Sequence, residues 1–163
     1  MNRSELSAER ARELLAYDHE TGLLTWRVNK GRARAGSRAG TPDKDGYLTV
    51  KVQGVTLKVH RIAFLLVEGE WPRGEVDHLN GVKSDNRYCN LRLASRSENM
   101  QNERRARSNS KTGVLGVTLC HGKPQASLYA NGTKRYLGQF RTVSEAHQAY
   151  LTAKRQLHSG CTI

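Results

Sequence analysis

Four polar residues in one short segment have the types and the spacing that chemistry on a phosphate requires. The segment reads "VDHLNGVKSDNRYCNLRLASRSENM" and contains Asp77, His78, Asn90 and Asn99. A carboxylate and an amide oxygen that meet at one point are hard donors, which suit Mg²⁺ or Mn²⁺ completed by water and phosphate. The imidazole of His78, neutral near neutral pH, can accept a proton from an attacking water molecule. Asn90 can satisfy the backbone of a polar loop that would otherwise be buried unpaired.

These side chains can act together only if the chain folds back on itself. We expect two antiparallel strands, Glu75–Leu79 and Asn90–Ala94, followed by a helix with Ser95 as its N-cap and a glutamate completing a capping box. Successive side chains of a strand point to opposite faces, so the side chains of Asp77 and His78 would lie on opposite faces of the strand. At a twisted strand end His78 can still face a phosphate that the cation holds. Between the strands we expect a turn-rich loop, which includes Asn80, Gly81, Asp85 and Asn86.

The segment resembles the ββα-metal core of HNH endonucleases (the His-Me finger), in particular the homing-endonuclease branch common in phages. The resemblance rests on four places: Asp77-His78, the "NGVKSDNR" loop, Asn90-Leu91 and Glu98-Asn99. It implies that Asp77 and Asn99 bind the metal, that His78 is the general base, and that Asn90 holds the loop and the histidine in place. The last motif position is Asn where other branches have His. "VHRIAFLLVEG" and "LLAYDHETGLLTWRV" are also similar to these enzymes, so the likeness covers roughly the first hundred residues.

Periodicity predicts a small helix and hairpin region ahead of this segment. The predicted elements are a helix over Ser4–Tyr17, a strand through Leu24, Trp26 and Val28, a hairpin of Tyr47–Gln53 with Val55–His60, and a short buried helix "RIAFLLVEG" that ends at Gly69. The stretch "NKGRARAGSRAG" is too polar to pack and is predicted as a flexible basic loop. His60 follows a clear strand and is predicted to be structural.

The last fifty residues predict a separate module. A basic, apolar-poor stretch, 104–112, is predicted as a linker between residues 1–103 and a module at 113–163. The module's predicted strands are Leu115–Leu119, Gln125–Ala130 and Thr133–Phe140, with a tight turn at Asn131-Gly132. A helix follows, opened by a capping box of Thr142 and Glu145.

This module resembles the Apetala-two/ethylene-response-factor DNA-binding domain. The resemblance rests on Gly116-Val117, Ala126, Leu137-Gly138-Gln139-Phe140, Glu145-Ala146 and Ala149-Tyr150. It implies that the sheet enters the major groove, which admits a β-ribbon. Ala126, Leu128 and Leu137 would then pack on the helix, and the DNA side would carry Gln125, Ser127, Tyr129, Lys134 and Tyr136. The sequence departs from the family, since the first strand lacks its arginines and Pro124 stands in the place of a tryptophan. A grip dominated by phosphate contacts is therefore expected.

The charge of the chain favours a polyanionic partner. It has 27 Lys and Arg against 15 Asp and Glu, a formal net charge of +12. Two stretches, Thr21–Thr41 and Arg104–Ser144, contain no acidic residue. Solvated loops with an incidental imbalance would give the same pattern, so charge alone does not decide. The basic residues that we expect to contact DNA are Arg32, Arg34, Arg87, Arg104, Arg105 and Arg107.

The cysteines and the hydropathy restrict the remaining classes. Cys89, Cys120 and Cys161 are odd in number and form no C-x-x-C pair, which argues against a disulfide framework and against a structural zinc. A reducing cytoplasm fits this pattern, and it would be the host cell's if the chain is phage-encoded. We expect no secretion signal and no membrane span.

Together these features predict an α+β protein. A ββα-metal core follows a small β-hairpin and helix region and precedes a three-stranded antiparallel sheet packed on one helix. The predicted function is hydrolysis of duplex DNA by a metal-dependent endonuclease, of a homing type that nicks or cleaves, with one divalent cation, Mg²⁺ or else Mn²⁺. We expect a monomer or weak homodimer. The alternatives are a non-catalytic, sequence-selective DNA-binding protein on the same scaffold and an RNA-binding or ribosome-associated basic protein.

Overall fold

The computed structural model describes residues 6–103, 105–106, 108–130 and 132–158. The chain divides into two compact units, Met1–Arg96 and Ser97–Ile163, so the division falls before the predicted linker. Several predictions lie outside the described residues: the helix start at Ser4, the DNA contacts Arg104 and Arg107, the turn residue Asn131, and Cys161. No helix in the described part of the chain is long and apolar enough to cross a membrane.

The first unit opens with a short helix and a hairpin. Helix α1 (Ala8–Leu14) begins at Ser7, whose side chain accepts a hydrogen bond from the N–H of Arg10. Strand β1 (Leu15–Tyr17) follows at once and pairs antiparallel with β2 (Leu24–Trp26). The predicted helix to Tyr17 is therefore wrong at its end, because pairing with β2 extends the backbone from Leu15 onward. Val28 lies beyond β2 and is exposed, so its place in the predicted strand is wrong as well.

The Gly/Arg-rich stretch is better ordered than its composition predicts. Its backbone pairs with β2, where the N–H of Ala39 donates to the carbonyl oxygen of Leu24 at 2.7 Å and the N–H of Gly36 donates to that of Trp26 at 2.7 Å. Ala39 is buried in the main core of the unit. The prediction that this stretch is too polar to pack is therefore wrong at its end, although Arg32, Arg34 and Arg38 are exposed.

A three-stranded sheet and a buried helix complete the main core. Strands β3 (Thr41–Pro42), β4 (Leu48–Val52) and β5 (Val55–Lys58) form an antiparallel sheet in that order. Gln53 and Gly54, with φ of 48° and 85°, make the two-residue turn between β4 and β5. Helix α2 (Val59–Glu68) follows β5 and ends at Gly69, whose φ is 81°, which confirms the predicted helix end. His60 therefore lies in the first turn of α2, and the predicted strand through His60 is two residues too long.

Two short strands follow α2 and form the motif region. Strands β6 (Glu75–His78) and β7 (Leu91–Ala94) pair antiparallel, which confirms the prediction with slightly shorter bounds. Their register places Asp77 opposite Arg92. A 3₁₀ turn, Tyr88–Asn90, leads into β7, and helix α3 (Arg96–Gln101) begins after Ser95. Val76 and Leu91 form a small apolar cluster with two residues of α2, which anchors the strand pair to the first unit.

The second unit contains the predicted three-stranded sheet and helix. Strands β8 (Val117–Cys120), β9 (Lys123–Ala130) and β10 (Thr133–Gln139) lie in the order β10-β9-β8, all antiparallel. Helix α4 (Val143–Leu157) begins at Thr142, which accepts a hydrogen bond from the N–H of Glu145 as predicted. The core of the unit joins sheet to helix through Val117, Ala126, Leu128, Ala146 and Tyr150, with Leu137 partly buried against it.

Candidate nuclease site

Asp77 lies on β6 in a partly buried ion pair. The residue is 8% exposed, and its Oδ2 accepts hydrogen bonds from Arg92 Nη2 at 3.0 Å and Arg92 Nε at 3.3 Å. The register of β6 and β7 explains this contact, since directly opposed residues of an antiparallel pair project to the same face. A buried carboxylate needs such a partner, because removing a charge from water is unfavourable unless another charge compensates. Asp77 thus offers a hard oxygen donor that already has one cationic neighbour.

The donor types suit a hard divalent cation. Among the described residues no three His, Cys, Asp and Glu side chains come together as a metal-binding group. The predicted pair has a different composition, one carboxylate and one amide oxygen, and leaves most positions to water and phosphate, as Mg²⁺ prefers. Asp77 belongs to the first unit and Asn99, in the first turns of α3, to the second. Their joint binding of one cation stays a prediction.

The ring of His78 is buried and held by Asn86. His78 is 3% exposed, and its Nε2 lies 3.1 Å from Asn86 Oδ1. The amide nitrogen of Asn86 donates to the carbonyl oxygen of Ser84 at 3.4 Å, so the oxygen of that amide faces the ring. Nε2 therefore carries the ring hydrogen and Nδ1 has the lone pair. Burial lowers the pKa of His78, and the hydrogen bond to Asn86 opposes that shift in part. The imidazole is neutral at neutral pH.

Asn86 is the functional candidate that sequence reasoning placed only in a turn. Its side chain is 1% exposed, and its backbone is fixed from the β1–β2 hairpin. Tyr17 Oη donates to the carbonyl oxygen of Asn86 at 2.6 Å. The turn at Gly22 also packs directly on the backbone of Asn86 and Arg87. The sequence signal was weak, since an asparagine in a polar loop reads first as a turn residue.

Asn90 ties the loop between β6 and β7 together. Its Oδ1 accepts the N–H of Asn80 at 2.9 Å, and its Nδ2 donates to Asn80 Oδ1 at 3.0 Å and to the carbonyl oxygen of Asp85 at 2.8 Å. These are the loop contacts that the residue type predicts. The hydrogen bond to His78 itself comes from Asn86, so the two asparagines divide the roles that the resemblance gives to Asn90 alone.

Two aromatic rings, those of His60 and Tyr47, lie beside the ring of the candidate base. The His60 and His78 rings are perpendicular with centroids 5.0 Å apart, and Tyr47 lies 5.4 Å from His60 and 6.0 Å from His78. Burial lowers the pKa of His60 to about 3, so His60 is neutral as well. Two ammonium groups lie over the Tyr47 ring, Lys58 Nζ at 4.4 Å and Lys83 Nζ at 4.7 Å from its centroid. The base therefore sits among neutral rings with positive charge nearby.

The arginines of the first unit that we predict to contact DNA differ in whether an ion pair within the protein already balances their charge. Arg32 and Arg34 are exposed. Arg87 instead makes a two-point ion pair with Asp85, in which Nε donates to Oδ1 at 2.8 Å and Nη2 donates to Oδ2 at 2.6 Å. This pairing lowers the pKa of Asp85 to about 2. The charge of Arg87 is thus largely balanced within the loop, which leaves less of it for a phosphate.

The second unit displays the predicted sheet residues on one face. The register pairs Tyr129 with Lys134 and Ser127 with Tyr136, and Gln125 lies on the same side of β9. Tyr129 and Tyr136 are 67% and 61% exposed, whereas Ala126 and Leu128 on the other face are buried against α4. Arg105, ahead of the sheet, is exposed. The structure therefore brings these five side chains to one surface, while their contact with DNA stays a prediction.

A comparison with known protein families gives a match, which covers the motif region. The family model described as HNH endonuclease matches residues 57–101. The match begins in β5, ends with α3 and includes Asp77, His78, Asn90 and Asn99. Neither a curated protein nor a solved structure gives a significant match. The match supports an HNH nuclease, a class that acts on DNA and typically uses a divalent metal.

Proposed function

We propose that this protein is a metal-dependent endonuclease that hydrolyses phosphodiester bonds of duplex DNA. One observation carries the proposal. Within the region that matches the HNH endonuclease family, a buried and neutral histidine adjoins a buried aspartate on β6, and Asn86 fixes its ring orientation. An imidazole that acts as a general base must be neutral and must hold a fixed orientation, and the environment of His78 supplies both.

In the proposed reaction His78 is the general base. Its Nδ1 accepts a proton from the water molecule that attacks the phosphorus, while Nε2–H stays bonded to Asn86 and stabilises the charged ring that results. Asp77 and Asn99 would hold the cation, with Arg92 orienting the carboxylate of Asp77. A bound divalent cation would neutralise charge on the phosphate and on the departing oxygen. Asn90 keeps the loop closed, so that Asn86 remains against the ring.

The finer assignments follow from the two resemblances. We propose Mg²⁺ as the cation, with Mn²⁺ as a substitute, and a phage-type homing role in the cytoplasm of a host cell. The sheet of the second unit, like the Apetala-two/ethylene-response-factor domain, would place the enzyme on duplex DNA through Gln125, Ser127, Tyr129, Lys134 and Tyr136. One site per chain fits a monomer or weak homodimer that nicks one strand at a time.

A non-catalytic DNA-binding protein is the second candidate, and one contact favours it. Arg92 already occupies Oδ2 of Asp77, and a cation at that carboxylate would have to share it. On a scaffold that had lost its metal, this ion pair would simply stabilise the strand pair. The two candidates make opposite predictions for metal-dependent cleavage.

A nicking assay on supercoiled plasmid distinguishes the nuclease from the non-catalytic DNA-binding protein. We expect the protein to nick plasmid in the presence of Mg²⁺ and to stop when EDTA is added. His78→Ala should slow nicking about 100- to 10,000-fold, which is the usual contribution of a general base, with DNA affinity nearly unchanged. His19→Ala is the matched control, since it removes an exposed imidazole of the same unit. Nicking by His78→Ala at the parental rate would refute the base assignment, and binding without nicking would favour the second candidate.

A further inference from the structure

The loop between β6 and β7 carries two cations with very different surroundings. Arg87 donates to both carboxylate oxygens of Asp85. Lys83 instead donates through Nζ to the carbonyl oxygen of Asp45 at 3.3 Å, and within the described residues no carboxylate pairs with it. A carbonyl oxygen stabilises an ammonium group without cancelling its charge. Lys83 therefore keeps a full positive charge on an exposed part of the loop.

Lys83 is held in place by the aromatic cluster beside the candidate base. Its Nζ lies over the Tyr47 ring at 4.7 Å from the centroid, and that ring contacts the ring of His78. A cation over an aromatic face is attracted to the ring but is not neutralised by it.

Lys58 lies over the same Tyr47 ring, but a carboxylate of the protein balances its charge. Its Nζ lies 4.4 Å from the Tyr47 centroid, yet it also forms a salt bridge with Asp43. The two lysines thus share one aromatic partner and differ in whether a carboxylate balances their charge. Lys58 already places a cation on the Tyr47 ring, and the contacts of Lys83 within the fold leave the charge of its ammonium group unbalanced.

We propose that Lys83 binds a backbone phosphate of the DNA strand being cut and thereby positions the scissile bond in front of His78. The proposal deepens the nuclease function and rests on it. The ammonium group is a compact point charge that can contact non-bridging phosphate oxygens from several directions. Phosphate contacts of this kind set the register of a protein on its duplex rather than its choice of sequence.

The test compares Lys83→Met with Lys58→Met, because methionine keeps much of the stem and removes the charge. In single-turnover cleavage at saturating protein, we expect Lys83→Met to lose about 10- to 100-fold in rate, as for the loss of a hydrogen bond to a charged group. Lys83→Arg should recover most of that loss. Lys58→Met should cleave at nearly the parental rate, and circular dichroism checks that each variant is folded.

A second measurement reports on the phosphate contact directly. In a His78→Ala background, which prevents cutting, duplex affinity is measured over a range of salt concentrations. The slope of log K against log salt should become shallower by about 0.9 for Lys83→Met, the change for one lost phosphate contact, and should not change for Lys58→Met. A slope and cleavage rate equal to those of the parent, or equal losses in both variants, would overturn the proposal. If the parent protein itself fails to cut, the proposed function falls, and the salt slope still reports whether Lys83 binds phosphate.

Discussion

Gly22 offers a direct test of how the N-terminal hairpin supports the candidate base. Gly22 lies in the turn between β1 and β2 with φ of +72°. A Cβ added there would lie 2.4 Å from the backbone nitrogen of Arg87 and 2.5 Å from the carbonyl carbon of Asn86. Both atoms are backbone, so no side-chain rotation can relieve the contact. Gly22→Ala must therefore displace the segment that holds Asn86 against His78, or displace its own turn.

The expected loss of stability in Gly22→Ala has two parts, which a comparison with Gly46→Ala can separate. An alanine in the left-handed region costs about 1–2 kcal/mol. Overpacking against a fixed neighbour adds roughly 1–3 kcal/mol. Gly46 has φ of +85° and no described atom within 4 Å of an added Cβ, so Gly46→Ala should carry the first part alone. We expect Gly22→Ala to be less stable than Gly46→Ala by about 1–3 kcal/mol.

Urea unfolding of both variants measures this difference, and plasmid nicking measures its effect on the site. At a temperature where both variants are fully folded, Gly22→Ala should nick more slowly than Gly46→Ala, because a shifted Asn86 loosens the orientation of the His78 ring. Equal unfolding free energies for the two variants would refute the packing argument. A clear difference in stability with identical nicking rates would refute the link from the hairpin to the base.

Two further predictions concern the charges around the site. Because the native pKa of His60 is about 3 and its ordinary value is 6.5, the unfolded chain binds the proton first, so the stability of the parent should fall as the pH drops from about 6.5 to 3. His60→Phe should lose less stability than the parent over this range, and urea unfolding at roughly pH 4.5 and pH 7 tests it; parallel pH profiles for parent and variant would contradict it. Arg92→Met should lower stability by about 1–3 kcal/mol by removing the ion pair with Asp77. Mg²⁺ should then raise the melting temperature of Arg92→Met more than that of the parent, since a ligand that binds only the native state stabilises it; an equal effect on both would count against Asp77 as a metal ligand.

The parts of the fold that the sequence predicted well are those set by local chemistry. The β4–β5 hairpin follows from strict alternation around Gly54, and the end of α2 follows from Gly69, which adopts the left-handed conformation that other residues avoid. The start of α4 follows from the Thr142 cap. Each of these signals lies within a few residues of the feature that it determines.

The errors arose where pairing with another segment decides the conformation. Leu15–Tyr17 continues an apolar helical pattern, yet it becomes a strand because Leu24–Trp26 lies beside it. Ala39 joins the core from a stretch that is otherwise Gly- and Arg-rich, because its backbone pairs with Leu24. Nothing in the local sequence indicates that Lys154 is fully buried, with its Nζ donating to the carbonyl oxygen of Glu103. In each case the partner lies outside the segment whose pattern is read, so that pattern does not contain the contact.

The same distinction separates the reacting groups from their supports in the candidate site. Asp77 and His78 can be proposed from residue type and spacing, because the expected chemistry needs a carboxylate and an imidazole, and Asn90 can be proposed as a support because a polar loop needs an amide to satisfy its backbone. Asn86 and His60 cannot be read in this way, since an asparagine in a loop and a histidine on a helix have many ordinary uses.

Two strands of four residues each are too small to bury an imidazole on their own. The other segments of the first unit therefore have to enclose the ring of His78. The ring of His78 is enclosed by His60 from α2, by Tyr47 from the turn before β4, and by Asn86 from the loop. Asn86 is in turn held by the β1–β2 hairpin. Four separate segments of the chain therefore determine one ring orientation. A base that presents Nδ1 in a fixed direction, as proposed for His78, gains from this arrangement, because contacts from several segments hold the ring in one orientation. The small motif supplies the proposed reactive groups, and the rest of the first unit supplies the rigidity that would let them act.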